Sequence, residues 1–254
     1  MTADWHYSHD YDNNSTMKTI LDQIQVELRA NYDPKHRDQL IWFFKNQSVR
    51  PIGVRSAQMN KLVIRFWRNI KHWDKPQIWE LCDELWKTKV LENGHLACKF
   101  AFRVDKRLEA DDFALFKKWT YNYIYNWAHC DDLCTHALGE VIDRFPHLIK
   151  QTESWHTSNN RWVRRGLAVT LINPLKNGNL LEHSLLVADR LLLDKDDLVQ
   201  KGYGWMLKVA SQSFPEEVFR FVLDRRSTMP RTALRYAIEK LPKEWRKEAM
   251  SKTW

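Results

Sequence analysis

Paired helical patterns recur along this chain every 30 to 40 residues, and no other feature constrains its fold as strongly. With the pairs starting near residues 35, 75, 111, 147, 177 and 215, the steps are about 40, 36, 36, 30 and 38 residues. Ser15 to Asn31 carries Ile20, Leu21, Ile24 and Leu28 at helical spacing, with Ser15 placed to cap. Pro34 opens a helix to about Asn46, Ser56 can cap one to Ile70, and Asp74 precedes one to Trp86 with Pro76 in its first turn. Further helices fit 92–104, 111–125, 129–144, 147–156, 160–173, 178–189, 195–211, 215–225 and 229–240, with a short one from Lys243. No segment alternates apolar and polar residues as a half-buried strand must. Asn93-Gly94 and Asn177-Gly178 lie between helical patterns, so neither marks a hairpin. A single helical pair cannot bury its apolar face, so neighbours stack. The spacing predicts an all-α, HEAT-like solenoid with a concave basic face, a little shorter per repeat than the usual 40–47 residues. A compact irregular bundle is the alternative. Residues 1–14 read as a disordered or loosely docked lead, and 15–254 as one repeat domain.

Composition narrows the function. The chain has seven glycines, and they are scattered: no GxGxxG or GxxxxGK[ST] exists, which excludes the nucleotide-binding folds that need clustered glycine at phosphate. Thirteen tryptophans outnumber phenylalanine and tyrosine taken singly. So many indoles point to wide helix packing, a stacking surface, or both. Net charge is +8, and residues 1–127 hold 20 basic and 16 acidic side chains, as do 128–254. The excess is therefore spread along the chain, as a long phosphate-binding surface requires and a basic tail does not. Cys82, Cys98, Cys130 and Cys134 form no CxxC, so they read as buried thiols in a reducing cytoplasm. The first residues are polar and no apolar run nears 18 residues, so neither a leader nor a membrane span is expected.

Three clusters carry possible chemistry. In Asn126-Trp127-Ala128-His129-Cys130-Asp131-Asp132, Trp127 and Asp131 are one helical turn apart. In Trp155-His156-Thr157-Ser158-Asn159-Asn160-Arg161-Trp162-Val163-Arg164-Arg165, an arginine near a helix N-terminus faces the positive end of the dipole, where an anion would help. An acidic neighbour on the adjacent repeat serves equally well. In Gln200-Lys201-Gly202-Tyr203-Gly204-Trp205, two glycines fall inside one helix, at about 1 kcal/mol each relative to alanine. They imply close packing or access for a ligand.

Together these clusters resemble the AlkD-like DNA alkylation repair family, alkylpurine DNA glycosylases built from HEAT-like repeats. The resemblance runs over roughly residues 25–240 and rests on five ordered blocks: PIGVRSAQMNKL, NWAHCDDLCTHALGE, WHTSNNRWVRR, QKGYGWMLK and PRTALRYAIEKL. It implies cleft aromatics at Trp127 and Trp205, a catalytic carboxylate at Asp131 and a phosphate-contacting arginine at Arg165. Ala128 replaces a tryptophan frequent after the first cleft indole, and Asp132 adds an acid beside Asp131. Arg55, Arg164, Lys201, Lys208 and Arg231 are further candidates for the DNA backbone.

The implied chemistry suits those residue types. An N3- or N7-alkylated purine is cationic, so its base departs neutral without strong acid catalysis. Charge develops instead on the deoxyribose, where a carboxylate stabilises it. At 4 Å and an effective dielectric near 20 that attraction is about 4 kcal/mol, roughly three decades of rate. Two indole faces add about 0.5–2 kcal/mol each for a cation. The expectation is a cofactor-free and metal-free monofunctional glycosylase, monomeric and cytoplasmic. It would act on duplex DNA, without base flipping, and leave an abasic site. A non-catalytic helical-repeat protein that binds DNA structures or a protein partner is the alternative.

Overall fold

The structure, a computed structural model, describes residues 6–45 and 47–251, with side chains from residue 16 onward. Among these residues every regular element is helical and no strand occurs. The chain divides into two compact units, 1–107 and 108–254.

The first unit contains α1 (His6–Ala30), α2 (Pro34–Phe44), α3 (Ser56–Ile70), α4 (Lys75–Lys87) and α5 (Leu91–Val104). Helix α1 begins at His6, so the expected lead is helical over most of its length, and residues 1–5 lie outside the described residues. No proline or glycine interrupts 6–30, so nothing forces the helix to stop at Ser15. Ser56 is the first residue of α3 rather than its cap. Asp33 caps α2 by accepting the His36 N–H, and Pro34 follows, where its missing donor costs nothing. Helix α3 shows why the period worked: Met59, Leu62, Val63, Phe66 and Ile70 form one buried stripe. The 51–56 loop is set by a feature that periodicity does not reveal. Glu92, 3% exposed, accepts the backbone N–H groups of Ile52, Gly53 and Val54 at 2.9, 2.7 and 3.1 Å. Gly53 has φ +104°, and a Cβ there would stand 2.6 Å from the Asp33 carbonyl, so glycine is required.

The second unit contains α6 (Asp112–Asn122), α7 (Trp127–Asp132), α8 (Gly139–Arg144), α9 (Arg161–Val169), α10 (Ile172–Lys176), α11 (Leu181–Arg190), α12 (Asp197–Ser213), α13 (Pro215–Arg225), α14 (Arg231–Ala237) and α15 (Lys243–Met250). Three expected helices differ in detail. The 129–144 helix is a continuous run from Trp127 with a π-helical turn over Leu133–Leu138. There Thr135 Oγ1 donates to the Asp131 carbonyl at 2.7 Å, and His136 Nδ1 lies 2.9 Å from that of Asp132. Side chains thus take up carbonyls that a regular α-turn would use, and the ladder widens. The 147–156 segment is a 3₁₀ stretch, Pro146–Thr157. Thr152, His156 and Thr157 each bond the carbonyl three residues back, in keeping with that tighter register. The 160–173 helix breaks after Val169, because Pro174 has no N–H to return to Thr170. The core is apolar and rich in indole, with Trp119 and Trp155 wholly buried. Cys82, Cys98, Cys130 and Cys134 are buried and form no disulfide, and burial pushes the Cys82 and Cys130 thiols well above their usual range.

Candidate active site

The second unit holds the candidate site, on α7, α9 and α12. Asn126 caps α7 by accepting the His129 N–H at 2.9 Å, which starts the helix so that Trp127 and Asp131 stand one turn apart. Asn160 caps α9 in the same way, through the Trp162 N–H, and sets Arg165 one turn in. Asp196 caps α12 through the Leu198 N–H.

Arg165 and Asp131 then meet. Arg165 Nε donates to Asp131 Oδ1 at 2.7 Å and Nη2 to Oδ2 at 2.8 Å, a bidentate pair. Its Nη1 donates to the Leu198 carbonyl in the first turn of α12. The pair is largely enclosed, with side-chain exposures of 7% for Arg165 and 17% for Asp131. Burial pushes the Asp131 carboxyl above its ordinary range, and Arg165 offsets only part of that push. Burial alone would lower the Arg165 guanidinium, but Asp131, helped by nearby Cys130 and Tyr236, raises it above its usual value.

Arg165, for which the resemblance implies a DNA phosphate, lies here opposite an acid. The reason is energetic: an enclosed carboxylate without a cation would be left uncompensated, at several kcal/mol. Gly202 makes the arrangement possible, since a Cβ at that position would lie 3.1 Å from Arg165 Cγ. Gly204 serves packing: its absent Cβ would fall 2.8 Å from Tyr236 Cβ and 2.9 Å from the Ala233 carbonyl of α14. The two glycines therefore do different work two residues apart. Trp205 follows Gly204 and is half-buried, as is Trp127, while Trp119 and Trp155 are wholly enclosed. Asp132 lies 3.3 Å from His136 rather than on Arg165.

The other expected backbone-binding cations are mostly engaged within the protein. Arg164 bonds Asp194 at 2.6 Å and the Ser158 carbonyl at 2.7 Å. Lys201 pairs with Asp197 at 2.5 Å and Lys208 with Glu239 at 2.6 Å. In the first unit Arg55 pairs with Asp33 at 2.6 Å. Arg231 is exposed as the first residue of α14. Pairs as open as Lys201–Asp197 contribute at most about 1 kcal/mol, so a phosphate can compete for those cations. Sequence reasoning missed Glu92, the Leu198 carbonyl and the π-turn, for which only the pattern of three-dimensional neighbours provides a signal. Among the described residues no His, Cys, Asp and Glu group is arranged to hold a metal ion, and no helix is long and apolar enough to cross a membrane.

Comparison with known proteins accords with this architecture. No curated protein matches the chain. Among solved structures, one described as a "Predicted DNA alkylation repair enzyme" from Enterococcus faecalis superposes with a TM-score of 0.73 at 16% identity, covering 84% of this chain and 98% of that one. At that identity the likeness establishes the fold. A family model described as "DNA alkylation repair enzyme" matches residues 24–241, spanning both units and the Asp131–Arg165 site, and the chain belongs to that family.

Proposed function

We propose that the protein is a DNA glycosylase that hydrolyses the N-glycosidic bond of cationic N3- or N7-alkylated purines in duplex DNA and leaves an abasic site. The observation that carries this reading is an enclosed carboxylate, Asp131, clamped through both oxygens by Arg165; the half-buried indole Trp127 shares helix α7 with Asp131, and the half-buried Trp205 stands on α12, whose first turn takes the third Arg165 bond. A surface acid needs no such clamp. A carboxylate that must stay ionised in a partly dry niche does.

In this reading Arg165 is a positioning residue: it keeps Asp131 charged and fixes its plane. Asp131 stabilises positive charge as it develops on the deoxyribose and aligns the attacking water. The water adds to the anomeric carbon as the bond to the purine nitrogen breaks. The bond's electron pair leaves with the base and cancels its formal charge, and the water's proton passes to Asp131 or to solvent. Trp127 and Trp205 hold the cationic nucleotide through their faces. None of these steps calls on a metal or an organic cofactor.

The test is release of free 7-methylguanine or 3-methyladenine from methylated duplex DNA by the wild type and by Asp131→Asn. The expected loss in the variant is about three decades of rate, the worth of one opposed charge near 4 Å at an effective dielectric near 20. No release by the wild type sinks the enzymatic reading and leaves the DNA- or partner-binding one. Equal release by the variant removes Asp131 from the mechanism.

A further inference from the structure

Beside the Asp131 niche, at the N-terminal ends of α9 and α12, the second unit has an open cleft of about 490 Å³. Its wall includes His156, Ser158, Arg164, Asp194, Lys195 and Asp196. We propose that this cleft seats one phosphodiester of the DNA backbone, next to the nucleotide held at Asp131. The proposal rests on the reading of the protein as one that acts on DNA.

The carboxylates of the wall are already satisfied. Asp194 takes Arg164 at 2.6 Å and the Asp196 N–H at 2.9 Å. Asp196 takes Arg161 at 2.7 Å and the Leu198 N–H at 3.0 Å. The donors are not. Arg164 spends Nε and one N–H on each terminal nitrogen, toward Asp194 and Ser158, so two of its five N–H groups remain. Ser158 Oγ accepts the Asn160 N–H at 3.2 Å, which leaves its hydroxyl hydrogen to donate. Lys195 is exposed between the two aspartates and is not part of either ion pair. A polar cleft with spent acceptors and unspent donors fits an anion.

Charge selects which anion. Arg161, Arg164 and Lys195 set against Asp194 and Asp196 sum to +1. A singly charged diester neutralises that sum, whereas a doubly charged phosphate monoester leaves a negative charge in excess. Position selects the same partner. Arg164 and Arg165 are consecutive, and Leu198 gives its N–H to Asp196 while its carbonyl takes Arg165. One anion in the cleft and one nucleotide at Asp131 would thus be linked through consecutive arginines of α9 and through Leu198 in the first turn of α12.

The test uses the full chain in two arms. In the first, duplex affinity is measured against salt for wild type and Lys195→Ala. Loss of one phosphate contact lowers the slope of log affinity against log salt by about 0.9, so the wild-type advantage shrinks about three- to fourfold between ~50 and ~200 mM salt. An unchanged slope overturns the proposal while leaving the glycosylase reading intact. The second arm needs no DNA activity. The dinucleotide thymidylyl-thymidine, which has a single phosphodiester, is titrated while the amide resonances of Ser158 and Lys195 are followed. Saturable shifts that Lys195→Glu abolishes are expected. No shift, or stronger binding of inorganic phosphate, overturns the proposal whatever becomes of the glycosylase reading.

Discussion

Replacing Arg165 with glutamine tests the core of the proposed mechanism, because it removes the charge and keeps much of the volume. The guanidinium approaches both Asp131 oxygens at 2.7 and 2.8 Å, and neither side chain is more than 17% exposed. With charge centres about 4 Å apart and an effective dielectric near 20, the attraction is about 4 kcal/mol. Its loss raises the Asp131 carboxyl further, because nothing then opposes the push of burial. Burial already holds that carboxyl above its ordinary range with Arg165 in place. The ionised form is the active one, so release of 7-methylguanine falls in the wild type as pH drops through this raised pKa. In Arg165→Gln the same fall occurs at higher pH. Stability moves with the opposite sign. A carboxyl with a raised folded pKa binds its proton more tightly folded than unfolded, so stability declines as pH rises between the two values. The variant extends that decline upward and loses most at neutral and alkaline pH. Single-turnover release across pH ~5–9, corrected for spontaneous depurination, and urea unfolding at the same pH values read both effects. Arg165→Lys, which keeps a charge but not the bidentate fork, should fall between. Acid limbs and stabilities that coincide in wild type and Arg165→Gln would refute the reasoning.

Two further substitutions follow from the packing. Gly204→Ala sets a Cβ 2.8 Å from Tyr236 Cβ and 2.9 Å from a backbone carbonyl, so it should cost about 1–3 kcal/mol of stability. Gly202→Ala meets only the flexible Arg165 stem, at 3.1 Å, so it should cost less stability but disturb base release by moving the guanidinium; thermal unfolding and release rates read the contrast. Glu92→Gln in the first unit replaces a carboxylate that takes three backbone N–H groups with an amide whose single oxygen cannot. The expected loss is about 2–4 kcal/mol with faster amide exchange at Ile52–Val54, and unchanged exchange there would rule out Glu92 as the anchor of that loop.

Much of this protein was legible in its sequence, for identifiable reasons. Apolar residues at three- and four-residue spacing declared the helices, because a helix on a core must repeat at 3.6. Pro34 and Asp74 announced helix starts, because a first-turn proline gives up no hydrogen bond and a cap acts on N–H groups two or three residues away. The ordered blocks around Trp127, Asp131, Arg165 and Trp205 pointed to the family that the comparison establishes. Local rules failed where a side chain spoke to a distant residue. Nothing within a turn of Arg165 says that it pairs with Asp131, 34 residues earlier. That was decided by burial, which makes an unpaired carboxylate too costly, and by a missing Cβ at Gly202 that leaves room for the guanidinium stem. The π-turn after Asp131 and the Glu92 anchor have the same origin: polar groups cut off from water bond whatever the tertiary structure brings within reach. The chain's own periodicity and capping thus settle where the helices lie, and only their packing settles which charges are spent inside the protein.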